Sequence, residues 1–309
     1  MAVPLQKTLS CHQAGVNSGK YHQKTTLLFI FAKVTSSPHT FTFMSQAIYH
    51  QDLTTLIKYE KILPNHLSLL KEIAACYSNI GMYKLAVNYH KKVAKVAPND
   101  IENVLLMALA YYHNNQFSKA LKHFLVTDKH QCLNNIHLAF AGYCYQDTNN
   151  YKAALTYHLR AFKALPTDVW NLGHIGYCLQ WLEDFDQAME YYKIAEKLNP
   201  NEDVVLMNIG WINLVKGNLK EADTYIKKAH QLAPYDAHTL MNLGHICMIK
   251  QQPDKAHHYY KESILGFSNK EEFVQLMRED LPYLTQYRLD EEAIEKVNSQ
   301  MIKHYEQNN

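Results

Sequence analysis

The motifs of common enzyme classes are missing from this 309-residue sequence. It has no GxxxxGK[ST] loop to cradle phosphates, no GxSxG elbow, no HExxH helix and no EF-hand loop, so none of the chemistries those patterns carry is supported. Long apolar runs are also missing. The nearest, Leu27-Leu28-Phe29-Ile30-Phe31-Ala32, falls far short of the ~18 residues a membrane span needs. Charge of one sign is scarce: 31 basic residues stand against 29 acidic ones, a formal +2, too little to mark the whole chain as a polyanion binder. Six cysteines (11, 76, 132, 144, 178 and 247) include no CxxC pair, which is expected of a reduced, cytoplasmic set rather than a disulfide framework or zinc site. Histidine is plentiful at 18 residues but scattered. Pairs such as His257-His258 point to different sides of a helix, so no metal site and no cofactor are expected.

What is present is a period. Prolines at 64, 98, 166, 200 and 234 are spaced by 34 residues or twice 34. Alanines at 86, 120, 154, 188, 222 and 256 keep the same step, as do glycines at 142, 176, 210 and 244. Within one period, Asn171 to Leu179 and Ala188 to Ala195 each show helical apolar spacing, with Leu182-Glu183-Asp184-Phe185 between them as a turn. Each period is therefore two antiparallel helices. Gly176 and Ala188 are expected to meet where the pair crosses, Pro200 to end the second helix, and Asp100, Asp168, Glu202 and Asp236 to sit where the next helix begins. Cys76, Cys144 and Cys178 share one repeat position that wants a small apolar side chain.

These residues resemble the tetratricopeptide pattern, most clearly through Leu138, Ala141, Gly142, Tyr145, Ala154, Ala161 and Pro166. The resemblance implies an all-α fold, a right-handed superhelical solenoid of antiparallel helix pairs. Six units fit: 67–100, 101–134, 135–168, 169–202, 203–236 and 237–268. The 101–134 unit lacks its closing proline and has Thr127 for the late alanine, so a local irregularity is expected there. Residues 44–66 read as a degenerate N-terminal helix or cap, with Asp52 to Leu63 as its helix. Ser268 and Glu271 read as a capping box for a helix at about 269–281 that stops near Pro282, and Asp290 begins another. Residues 269–309 are thus capping helices or a degenerate seventh unit. Residues 1–43 lack the period and any acidic residue. They read as a poorly structured extension, either upstream of a start at Met44 or a flexible tail; a targeting peptide fits less well, for want of arginine.

In this family the first helices line a concave channel, and the side chains facing it recur at fixed positions. Carrying those positions over places Ile136, Phe140, Tyr143 and Gln146 on the channel from the third unit. Trp170, His174, Tyr177, Gln180 and Trp181 follow from the fourth, Met207, Asn208 and Trp211 from the fifth, and His238, Met241, Asn242, His245 and Met248 from the sixth. All three tryptophans fall there. The resemblance thus implies a non-catalytic adaptor or chaperone-like protein that takes an apolar or amphipathic peptide, though some rings could instead pack between neighbouring first helices and stiffen the array. The carboxylate clamp that some members use for chaperone tails is incomplete: Lys71 matches its first position, but Ala75 and Leu106 depart from the next two. Two alternatives remain open. One is an assembly subunit whose groove is filled by its own tail, motivated by the N-terminal apolar segment and by Tyr283 to Tyr287. The other is an RNA-binding repeat, which Lys91-Lys92 and Lys227-Lys228 do not extend into a basic stripe. Oligomeric state has no signature in the sequence.

Overall fold

A computed structural model describes residues 52–289 and 291–308. The expectations for residues 1–43, the beginning of 44–66 and Cys11 lie outside the described residues. Every regular element among the described residues is helical, and consecutive helices pack as pairs. The chain divides into two compact units, one ending at Thr148 and one starting at Asn149.

In the first compact unit, a helix at residues 52–60 (α1) precedes α2 (Leu67–Asn79), α3 (Tyr83–Val96), α4 (Ile101–His113), α5 (Phe117–Lys129) and α6 (Asn135–Asp147). Asp100 caps α4 as its position suggests, accepting the Asn103 amide at 3.1 Å, a bond worth about 1 kcal/mol. Every first helix ends in a residue with positive φ: Gly81, Asn115, Asn149, Glu183, Gly217 and Gln251. At α2 the amide of Met82 reaches the Tyr77 carbonyl at 2.9 Å, closing the last turn on orphan carbonyls. The irregularity expected in the 101–134 unit is a shortened second helix. α5 ends at Lys129 and turns through Gln131 (φ 57°), while the Thr127 hydroxyl donates to the Phe124 carbonyl at 2.9 Å. Without Pro98's counterpart, nothing holds the extended exit that closes the other units.

In the second compact unit, α7 (Tyr151–Ala164), α8 (Val169–Trp181), α9 (Phe185–Leu198), α10 (Asp203–Val215), α11 (Leu219–Leu232), α12 (Ala237–Ile249) and α13 (Pro253–Gly266) continue the pattern. Asp168 and Asp236 cap α8 and α12 at 3.1 and 2.7 Å, whereas Glu202 makes no side-chain cap bond. The residue opposed to Gly176 is Tyr192 rather than Ala188: a Cβ on Gly176 would lie 2.6 Å from the Tyr192 ring. Gly210 faces Ile226 and Gly244 faces Tyr260 in the same way. The glycines make room for a large buried side chain from the second helix.

Two helices close the chain, α14 (Lys270–Leu284) and α15 (Glu291–Asn308), joined by a 3-10 turn at Thr285–Tyr287. The cap of α14 is one residue later than Ser268. Asn269 Oδ1 accepts the Glu272 amide at 2.9 Å and Glu272 reaches back to the Ser268 amide at 3.3 Å, so the capping box is built on Asn269 and Glu272. The helix also runs through Pro282 to Leu284. Phe273, Met277 and Leu284 on this helix are buried in one core with Trp211, Met241, Ile246 and Tyr260, and that burial outweighs the single backbone bond the proline removes.

Among the described residues no cysteine is joined in a disulfide. Cys76, Cys144, Cys178 and Cys247 are buried, and burial pushes the thiols of Cys76 and Cys144 up to about 11 and about 12, which leaves them protonated and inert.

Candidate binding face

The side chains expected to line a concave face from the first helices meet different fates. In the first compact unit, α6 presents Ile136 exposed, Phe140 and Tyr143 half-buried and Gln146 buried. Phe140 stacks on Tyr112 at 4.3 Å and 20°, and Tyr143 stands edge-on to Phe117 at 5.2 Å. Each such pair adds about 0.5–1.5 kcal/mol beyond its buried area. Lys71, the first clamp position, is engaged with Asp100 at 2.7 Å and Glu102 at 3.3 Å.

The three tryptophans lie in the second compact unit and divide. Trp170 is 42% exposed and sits edge-on to His174 at 4.1 Å. Trp181 is 39% exposed, but one face lies parallel on Tyr151 at 5.1 Å and 2°, so it also serves as a spacer between repeats. Trp211 is only 7% exposed. Tyr177 and Met207 are half-buried, His238 is exposed, and Asn208, Met241, Asn242 and His245 are buried.

Beneath Trp170 lies a polar pair that sequence reasoning did not find. His174 stacks on His158 at 5.2 Å and 7°. His158 Nδ1 lies 2.8 Å from Asn171 Oδ1, and Asn171 Nδ2 donates to the His158 carbonyl at 3.0 Å. That second bond fixes the amide, so Nδ1 of His158 carries the proton and donates. Its Nε2 has no hydrogen-bond partner among the described residues. Burial holds the imidazole of His158 down to about 4; burial, with His158 beside it, holds His174 down to about 3. The same arrangement recurs in the first compact unit, where His90 and Asn103 pair at 2.8 and 3.0 Å. The available signal was a histidine followed by an asparagine 13 residues on, repeated two periods later.

The chain's own C-terminal segment adds to the burial around α10 and α12. The Tyr283 ring is edge-on to Trp211 at 6.0 Å and to Phe185 at 5.8 Å, and its hydroxyl lies 3.4 Å from Glu183. Gln286 Nε2 donates to the Val215 carbonyl at 2.9 Å and the Tyr287 hydroxyl to the Leu214 carbonyl at 2.8 Å, both at the end of α10, where helix carbonyls lack their full set of intrahelical donors. His245, fully buried, bridges Tyr260 at 2.9 Å and Asp280 at 3.0 Å.

Chemistry of other kinds finds little here. Among the described residues no group of three or more His, Cys, Asp or Glu is placed to hold a metal, and no helix is long and apolar enough to cross a membrane.

A tetratricopeptide repeat profile matches residues 171–202. No curated protein matches the sequence. Among solved structures, the chain is similar to YrrB, described as a TPR protein with an unusual peptide-binding site, at 17% identity and TM-score 0.52, covering 60% of this chain and 95% of YrrB. It is similar to MamA from Desulfovibrio magneticus RS-1 at 22% identity and TM-score 0.50, covering 54% of this chain and 94% of MamA. It is also similar to a chain of the APC/C hetero-tetramer Cut9–Hcn1, at 15% identity and TM-score 0.57, covering 72% of this chain and 44% of that one. At these identities the likeness is one of fold.

Proposed function

We propose that this array of helix pairs, with its tetratricopeptide-repeat match at residues 171–202, is a non-catalytic adaptor that holds an apolar or amphipathic segment of another protein against the first helices of its second compact unit. The observation that carries this reading is intramolecular. The segment from Asp280 to Tyr287 already lies on α10 and α12, through Tyr283 on Trp211 and Tyr287 on the Leu214 carbonyl. A face that accepts a helix of its own chain has the apolar floor to accept another. With Trp211 covered from within, the surface left to a partner centres on Trp170, Tyr177, Trp181 and Met207. A ring the size of Trp170 removes on the order of 150–250 Å² from water when fully covered, enough to anchor a contact. The lack of a disulfide among the described residues suits a cytoplasmic setting.

Affinity capture with the full chain, compared with Trp170→Ala, tests the reading. Specific partners held by the wild-type chain are expected to be lost from the variant while its melting is nearly unchanged. An identical set of captured proteins would remove Trp170 and its surroundings as the site.

The tail contacts also favour a second reading, an assembly subunit whose groove is permanently filled by its own C-terminal segment. Under it, Trp170→Ala leaves capture unchanged, and substitutions on the second helices abolish it.

A further inference from the structure

Resting on that reading, we propose that the segment taken by the open stretch of this face is cationic: an amphipathic helix with lysine or arginine along the border of its apolar side. The first ground is where the charges of the second compact unit lie. Its first helices, Val169–Trp181, Asp203–Val215 and Ala237–Ile249, carry no lysine or arginine, and Asp203 is their only charged residue apart from histidine. Every basic side chain of this unit stands on the second helices, in the turns or on the two closing helices. The concave floor is therefore apolar and without positive charge.

The second ground is what borders that floor. Glu183 is exposed in the turn after Trp181, 3.4 Å from the Tyr283 hydroxyl. Glu279 lies near enough to Tyr151 to help raise its phenol above the ordinary range, behind the larger effect of burial. The neighbouring cations are already committed: Lys216 to Asp186, and Arg278 to Glu295 through two bonds of 2.7 and 3.1 Å. Trp181 and Tyr151 add ring faces beside these carboxylates. Aromatic faces attract ammonium and guanidinium groups, and their negative quadrupole repels anions. An apolar stripe flanked by Lys or Arg thus meets a complementary surface at every position. A phosphate backbone or an acidic helix would find no cation on the floor to pair with.

Three labelled peptides of equal length test this by fluorescence anisotropy with the full chain: an amphipathic leucine/lysine helix and its leucine/glutamine and leucine/glutamate counterparts. The lysine peptide is expected to bind about tenfold more tightly than the glutamine one, the combined effect of an exposed cation–π contact and an exposed ion pair. Glu183→Gln with Glu279→Gln should remove most of that advantage without lowering the melting temperature, and Trp170→Ala should weaken both peptides. Equal binding of the lysine and glutamine peptides, each still dependent on Trp170, overturns the charge preference and leaves the groove standing. Tightest binding by the glutamate peptide overturns it outright. Binding of the lysine peptide that ignores all three substitutions places it elsewhere and overturns the site. Failure of every peptide to bind a folded chain removes the groove reading itself, and this inference with it.

Discussion

The stacked histidines under Trp170 make the second compact unit acid-labile, and the size of the effect follows from their burial. Unfolded, an imidazole takes up its proton near pH 6.5. Folded, His158 is held down to about 4 and His174 to about 3, burial being the chief cause in both. A folded-state value below the unfolded one means that the unfolded chain binds the proton more readily. The stability these residues confer is therefore complete above about pH 6.5 and is lost as the pH falls toward 4. Each loses about 1.4 kcal/mol per pH unit inside that window, so going from pH 7 to pH 5 costs about 2 kcal/mol per residue and about 4 kcal/mol for the pair. Burial also lowers His90, His113, His123 and His137, so the informative quantity is a difference between variants. Urea denaturation of the wild-type chain and of His174→Gln at pH 7 and pH 5, followed by circular dichroism, should show the variant's acid loss reduced by about 2 kcal/mol. An equal loss in both chains, or imidazole resonances of His158 and His174 that titrate near pH 6.5, would refute the reasoning.

Other substitutions probe the crossings and the tail. Gly210→Ala puts a methyl 2.4 Å from Ile226 Cγ1 and 3.1 Å from its backbone nitrogen, and should destabilise by about 1–3 kcal/mol. Gly173→Ala meets only Val205 at 3.7 Å, and should raise the melting temperature through a helix-propensity gain of up to about 1 kcal/mol; thermal melts of the two variants settle the contrast. Tyr283→Ala removes two ring contacts from Trp211 and Phe185 and should cost about 2 kcal/mol. In a Trp170→Phe, Trp181→Phe background it should also shift the emission of Trp211 to longer wavelength, whereas unshifted emission means the tail is not its cover. Asn103→Ala leaves buried His90 Nδ1 unpaired and takes the second donor from the His90 carbonyl, and hydrogen exchange should show α3 and α4 opening about 1–3 kcal/mol more easily.

The helix pairing was legible because it depends on interactions repeated every 34 residues, each written in side chains close together along the chain. Pro98, Pro166, Pro200 and Pro234 and the cap aspartates act on their own backbone neighbours, so their effects could be named without a structure. Even the weakness at Thr127 could be read, as a departure from the repeat. Local reasoning failed where two residues compete for one role. Ser268 and Asn269 can both cap, and the structure uses Asn269, on a helix whose Phe273 and Met277 reach the core. Pro282 likewise reads as a stop until burial of Leu284 is counted. The positive φ at Glu183 and Gln251 was also missed, because glycine stands at that repeat position only in Gly81 and Gly217.

For the candidate face, the sequence and its resemblance to tetratricopeptide repeats proposed which side chains belong to it, because position within a repeat sets direction from the helix axis. The sequence by itself determined that the first helices of the second compact unit carry no basic residue. Tertiary structure alone decided which of those side chains remain open. Trp170, Trp181 and Trp211 occupy comparable first helices, yet one stands over a histidine stack, one lies on Tyr151 and one is closed by Tyr283. Tyr283 is separated from Trp211 by three intervening helices, and no periodicity records a contact that is made only once.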